Sequence, residues 1–363
     1  MALWPAWLAA QTVPEVQLQL QTGQQIYEAA CIGCHGPHGE GMPKTTVGFE
    51  APKTFPDFTK CDQTAKEFNR DYKAAIRDGG PARGFSPIMP SFRDALTPQQ
   101  MDLVIQTLRN FCQDRKPWPR GELNFPRALV TEKAFPEDEA VLTTGINAQG
   151  APGLTHEFAF EKRFGVKNQL EVAVPFSFMH QDTGGLFGGI GDIAVGMKRV
   201  IFSSLRAGNI LTLQGEVALP TGNRERGFGT GVTTFGTFAS FDQRLPGNSF
   251  VQFQGGAHLP AHTDRVPQSV FWRTAVGKSY SYQGLGRMWT PIMEWVADRD
   301  LDHGARTNWD VVPQFQVTLS RRQHIRADLG LRIPATNTAG RPIQVMLYVL
   351  WDTADGGLFE GWR

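Results

Sequence analysis

The sequence predicts a multidomain chain, an all-α domain followed by an antiparallel transmembrane β-barrel of about twelve strands. Three observations carry this. Helix signals dominate between Val16 and Cys112, strict period-two alternation runs from about Asp138 to Asp352, and the stretch Gln113 to Gly121 between them is charged, Pro-rich and aperiodic. At 363 residues the chain has room for two units on a soft prior of about 150 residues each. The boundaries read as a signal-like segment at 1–15, a helical domain at 16–112, a linker at 113–137, the barrel at 138–353 and a tail at 354–363.

Charge narrows the functional classes. A formal net charge of +1 provides no basic field to hold nucleic acid. The run Met1 to Ala10 is apolar, ends in small residues and precedes a Gln-rich stretch, as the end of an export signal does, although it lacks a positive n-region. No later run approaches the 18 or so consecutive apolar residues of a membrane helix, so any crossing uses strands.

In the helical part, Thr22 to Cys31 reads as a helix running into Cys31-Ile-Gly-Cys34-His35, the C-x-x-C-H haem attachment signature. Two thiols on one turn reach the two vinyl groups of a single porphyrin, and the adjacent imidazole then lies on the iron. A redox-active C-x-x-C would want a βαβ context and a zinc site a second Cys or His pair, and neither is present. Ser86-Pro-Ile-Met89-Pro-Ser-Phe92 sets a thioether in a stiff loop, which makes Met89 the distal ligand and places the iron in the His/Met class of electron-transfer haems. Met42 is the weak second choice, because it is too close in sequence to His35 to reach the opposite porphyrin face; Met101 reads as packing or surface. Thr97-Pro98 then caps a helix over Met101 to Phe111 with Leu103, Val104, Leu108 and Phe111 at helical spacing.

These features resemble class I cytochromes c over roughly Val16 to Cys112: a first helix with Gly23 and Tyr27, C-x-x-C-H-G, a Pro-rich loop, a Met-Pro loop and a last helix opening on Leu-Thr-x-x-Gln. The resemblance implies one covalent haem c, a crossing of Gly23 and Tyr27 against Leu108 and Phe111, and a proline carbonyl, of Pro43 or Pro52, accepting from the His35 ring. The leftover Cys61 and Cys112 are expected to pair as a disulfide, since an even cysteine count in an exported domain usually means pairing.

Beyond the linker the period changes to two. Leu170, Val172, Val174, Phe176 and Phe178 alternate with Glu171, Ala173, Pro175 and Ser177, and the same pattern returns through Leu211–Leu219, Trp309–Leu319 and Ile325–Ile333. Runs of about ten residues suit tilted membrane strands, whereas strands of soluble sandwiches stop near six. The outward positions carry Phe, Trp and Leu and the inward ones are polar, the reverse of a soluble barrel. Arg326, Asp328 and Arg332 are expected to line the lumen and bias which ions pass. The isolated histidines, His180, His258, His262, His303 and His324, have no ligand spacing.

Connections alternate in length. Short ones fall at 165–167, 204–208, 245–248, 283–285 and 321–322, and longer ones at 149–153, 181–187, 221–229, 262–268, 299–306 and 335–341. In bacterial barrels the short turns are periplasmic, so both barrel ends and the helical domain are expected on that side. The run Gly188 to Lys198 resembles strands of small outer-membrane channels linked to aromatic-compound degradation. The whole layout is similar to the fused cytochrome-porins of iron-oxidising bacteria, with a longer cytochrome and a smaller barrel.

The expected function is therefore one-electron transfer at the outer membrane, between a periplasmic redox protein and a second, extracellular partner. A channel for a small solute and a barrel-anchored shuttle are the alternatives. With both axial positions of the iron taken, the chain reads as an electron carrier and not as an enzyme.

Overall fold

A computed structural model describes residues 20–41, 52, 55–114, 116–149, 152–181, 185–282 and 285–362. The signal-like segment, Met42 and Pro43 lie outside them.

The N-terminal unit is built from α1 (Gly23–Ala30), α2 (Ile32–His35), α3 (Cys61–Thr64), α4 (Asn69–Asp78) and α5 (Pro98–Phe111). Thr22 with Gln25, and Thr97 with Gln100, form capping boxes that satisfy the first N–H groups of α1 and α5. These two helices cross over a core of Ile26, Tyr27, Met101, Val104, Ile105 and Leu108. At Gly23 a β-carbon would overlap the Leu103 carbonyl and sit 2.6 Å from the Thr107 hydroxyl, so only glycine permits the close approach. Tyr27 meets Phe111 edge-on at 4.9 Å, one turn further along α5. Met101 is buried in this core. Cys61 and Cys112 are joined by a disulfide that spans 51 residues and ties α3 to the end of α5. Cys61→Ser is expected to destabilise the domain by about 2–5 kcal/mol, read as a lower denaturant midpoint; equal midpoints would show that packing alone sets its stability.

The second unit is one closed antiparallel sheet of twelve strands. They are β1 (Glu139–Asn147), β2 (Gly153–Phe164), β3 (Asn168–Gln181), β4 (Gly185–Ile190 and, past a break, Ile193–Ser204), β5 (Asn209–Leu219) and β6 (Thr234–Leu245). The ring continues with β7 (Ser249–Pro260), β8 (Ser269–Lys278, extended by Tyr280–Ser281), β9 (Met288–Asp300), β10 (Asn308–Thr318), β11 (Ile325–Pro334) and β12 (Gln344–Asp352). Each strand pairs with its sequence neighbour, and β12 closes on β1 from Glu139↔Asp352 to Asn147↔Gln344. Outward positions such as Phe160, Leu213, Phe235, Trp295, Phe315 and Leu329 are exposed, while inward Glu161, Lys198, Asp242, Gln254, Glu294 and Gln316 are buried. An apolar belt around a polar interior is the surface of a membrane-spanning barrel.

Two expectations need correction. The connection expected at 181–187 is mostly strand: β3 and the first piece of β4 run on as a hairpin, pairing Phe176↔Ile190 through Gln181↔Gly185. The larger difference concerns 113–137. The Gly121 amide still donates to the Ala65 carbonyl of the N-terminal unit, no residue from Gly121 to Glu137 is exposed, and from Leu123 onward the chain lies inside the barrel.

The interior explains why. Leu129 packs on Val141, Val296, Val312 and Leu350, Phe125 stacks on Phe250 at 5.7 Å, and Phe135 joins Val200 and Ile210. Between these contacts the wall supplies partners to the segment's backbone. Glu294 accepts from the Val130 and Thr131 N–H groups at 3.0 and 2.7 Å, Asp242 from Ala134 at 2.8 Å and Gln169 from Glu137 at 2.7 Å. Tyr348 and Gln316 donate to the Arg127 carbonyl. Charge composition disguised this segment, because inside the barrel its Arg127 pairs with Glu161 and its Lys133 with Glu137 and Glu139, rather than meeting water. Asp328 consequently lies buried and Arg326 largely covered beside a filled lumen, and Arg332 pairs with Asp310 at 2.6 Å.

The tail is also fixed. The Trp351 indole donates to the Gly356 carbonyl, the Arg321 amide donates to the Gly361 carbonyl, and Arg322 pairs with Glu360 at 3.1 Å. Arg322 also donates to the Gly84 carbonyl at 2.7 Å and lies over the Phe85 ring, while Lys66 pairs with Asp355 at 3.3 Å and Arg163 donates to the Asp62 carbonyl. The helical unit thus docks on the barrel end that carries the turns 165–167 and 246–248. Arg322→Ala is expected to loosen this docking, seen as faster protease cleavage between residues 112 and 121 while the melting of the barrel is unchanged.

Candidate haem site

Cys31, Cys34 and His35 come together because α1 stops at Cys31 and a further single turn, α2, carries the motif. Gly36 ends that turn with positive φ, and its carbonyl accepts from the buried Tyr27 hydroxyl at 2.6 Å, which pins the motif to α1. Cys31 is half-buried against the core and Cys34 exposed, both as free thiols. The His35 ring stacks on Phe55 at 5.0 Å and tilts over Phe58 at 5.4 Å. Burial pushes its imidazole down to about 4, so it is neutral near pH 7, as a metal-ligating nitrogen must be. Its Nδ1 is buried with no hydrogen-bond partner among the described residues. The Pro52 carbonyl accepts from the Phe55 amide at 2.9 Å and is not bonded to the His35 ring.

The loop with Met89 is held from both ends. The Gly80 amide donates to the Met89 carbonyl at 3.1 Å, the Phe92 amide to the Ile76 carbonyl, and the Ser91 hydroxyl to the Arg77 carbonyl. A β-carbon at Gly80 would overlap the Ser86 carbonyl, so glycine lets this loop fold back on itself. Met89 packs against the same core as Cys31 and Ile32, with Phe85 and Ile88 exposed beside it.

A carboxylate clamps the base of the loop: Asp78 pairs with Arg77 at 2.6 Å and also with Arg93. The Arg77 hydrogen bond, with Arg93 adding to it, holds the Asp78 carboxyl below the usual carboxylate range. A depressed native value stabilises the fold fully above the unfolded value of about 4 and loses that contribution as pH falls through the native value. The loop is expected to loosen below about pH 4, and Asp78→Asn to remove this acid transition; an unchanged acid profile in the variant would place the titrating group elsewhere. Neither Asp78 nor Arg93 stood out in the sequence, because a lone surface ion pair has no spacing signature.

A haem fits these residues. Two free thiols sit one turn apart, next to a neutral imidazole whose buried Nδ1 lacks a partner, and a thioether loop is braced on the same apolar core. Among the described residues no cluster of three or more His, Cys, Asp or Glu side chains is placed to hold a bare metal ion.

The cytochrome c family model matches residues 20–110, and no curated protein matches. Solved structures similar to the chain include a COG4313 outer membrane channel from Pseudomonas putida F1, at 14% identity and TM-score 0.41 over 60% of this chain and 97% of that one. They also include the KdgM porin in complex with disordered oligogalacturonate, at 8% identity and TM-score 0.39 over 59% and 98%. The N-terminal unit is a cytochrome c domain, and an antiparallel twelve-stranded β-barrel follows it.

Proposed function

We propose that this chain is an outer-membrane electron carrier whose single haem c is attached through Cys31 and Cys34 and ligated by His35 and Met89. The observation that carries the reading is the meeting of the C-x-x-C-H turn and the braced Met89 loop on one apolar core. When bound, the haem supplies a reversible one-electron iron couple. The chain's own part is to keep His35 neutral, to pack Phe55 and Phe58 against its ring, and to hold the Met89 loop with the Asp78 clamp. Held by His35 and Met89, the haem would supply outer-sphere electron transfer and leave no iron site for a substrate.

The apolar outer belt supports the outer membrane as the location, and docking on the short-turn end supports a periplasmic cytochrome. One haem does not reach across a hydrocarbon core of about 30 Å. The proposed carrier therefore exchanges electrons with a soluble periplasmic redox protein and hands them to, or takes them from, a second partner on the extracellular side.

The test is an optical and redox titration of detergent-extracted outer membrane. Wild type is expected to show the far-red sulfur-to-iron band and a positive potential. Met89→Ala should lose the band, and Met89→His should lower the potential by hundreds of millivolts, on the order of the range that axial ligands span. Spectra indifferent to Met89, or haem recovered with soluble periplasm, would overturn the ligand or the location respectively.

A further inference from the structure

We propose that residues 123–137 are a resident plug that keeps the barrel shut to ions and small solutes, so that the barrel serves as a closed mooring for the cytochrome domain and not as a channel. The inference goes beyond electron transfer and does not depend on the haem ligands.

The segment meets the wall on every side. It reaches β2 through Arg127 and Glu161, β4 where Lys198 donates to the Lys133 carbonyl at 3.1 Å, β6 through Asp242, and β9 through Glu294. Arg273 of β8 donates to the Val130 carbonyl at 3.0 Å, and the Leu129 side chain lies against Gly330 of β11, where a β-carbon would leave it no room. A strand missing from this circle would leave a water path; the apolar contacts through Val141, Ile210, Phe250 and Leu350 fill the sectors between.

Several backbone and side-chain groups of the segment meet specific partners on the wall. Glu294 takes three hydrogen bonds from the segment, two from backbone N–H groups and one from the Thr131 hydroxyl at 2.6 Å. Lys133 is fully buried between Glu137 and Glu139 at 2.5 and 2.9 Å. Withdrawing the segment would take Arg127 from Glu161 and three donors from Glu294, leaving wall carboxylates without those partners, which is the costly way to break such pairs.

Both ends of the segment are tied. At its start the Gly121 amide donates to the Ala65 carbonyl, and Glu122 accepts from the Asn69 amide and lies 3.6 Å from Arg109, all within the cytochrome domain. At its end it continues directly into β1. Plug and haem domain thus form one connected body at the mouth, and the haem is held at a fixed place relative to the membrane.

The experiment is planar-bilayer conductance of the full holoprotein in KCl. Wild type should give no resolvable unitary steps. Glu294→Ala combined with Arg127→Ala should give flickering steps, and a chain in which 124–136 is replaced by Gly-Ser of equal length should conduct steadily, each with an unchanged haem spectrum. Steady steps from wild type as large as those of the replaced chain would overturn the proposal. Amide hydrogen exchange of wild type in lipid supplies a measurement that needs no variant: slow exchange over 127–137 supports the plug, and exchange as fast as in the loop 261–268 overturns it. Loss of the sulfur-to-iron band on Met89 substitution is read separately, so failure here leaves the electron-carrier reading distinguishable.

Discussion

Replacing Cys31 and Cys34 together by serine is expected to leave no haem that survives denaturing electrophoresis, whereas either single replacement leaves some. The reasoning is chemical: a thioether forms when a cysteine sulfur adds across a porphyrin vinyl group, and a serine hydroxyl lacks the sulfur's nucleophilicity at neutral pH. Cys34 is exposed and Cys31 half-buried at the end of α1, so Cys31→Ser should also perturb the domain while Cys34→Ser should not. Because His35 and Met89 remain, the double variant should still take up haem that dissociates on denaturation. Haem resisting denaturation in the double variant would mean that attachment lies elsewhere in the chain.

Gly23→Val is expected to be the most damaging single change in the cytochrome domain. Its side chain would be driven into the Leu103 carbonyl and the Thr107 hydroxyl, and α1 and α5 would have to part. Overpacking of this kind costs about 3 kcal/mol, at the upper end of what well-packed cores show, a large part of the 5–15 kcal/mol or so that holds a typical domain together. Parting the helices also shifts Tyr27, whose hydroxyl holds the Gly36 carbonyl and through it the turn that carries His35. The denaturant midpoint followed by haem absorbance should fall steeply, with exposed Gln24→Ala as the control that changes little. Equal midpoints for the two variants would mean that the crossing does not bear on stability.

Local patterns carried much of the architecture. The capping residues Thr22 and Thr97, the C-x-x-C-H turn and the Pro-bracketed Met89 are short-range signals, since each depends on residues a few positions apart. The barrel was legible for a related reason: a side-chain period of two records which residues face lipid, and Phe160, Leu213 and Phe315 do so in the folded chain. Strand number followed from the same alternation.

What the sequence by itself determined is the succession of a helical unit and a barrel; it also singled out Cys31, Cys34, His35 and Met89, the residues proposed to hold the haem. Tertiary structure alone decided what fills the barrel and what holds the two units together. Residues 121–137 have no period because their partners are not on one face but all round a closed wall, at separations such as Val130 to Glu294 and Leu129 to Gln314. A charged, Pro-rich stretch reads as solvated until Arg127, Lys133 and Glu137 are seen to meet opposite charges inside the lumen. The tail is the same case, since Arg322 reaches Gly84 and Glu360 only after the barrel has closed. Burial of polar groups is affordable only against pre-placed partners, and those partners are set by the closed fold and not by neighbours in sequence.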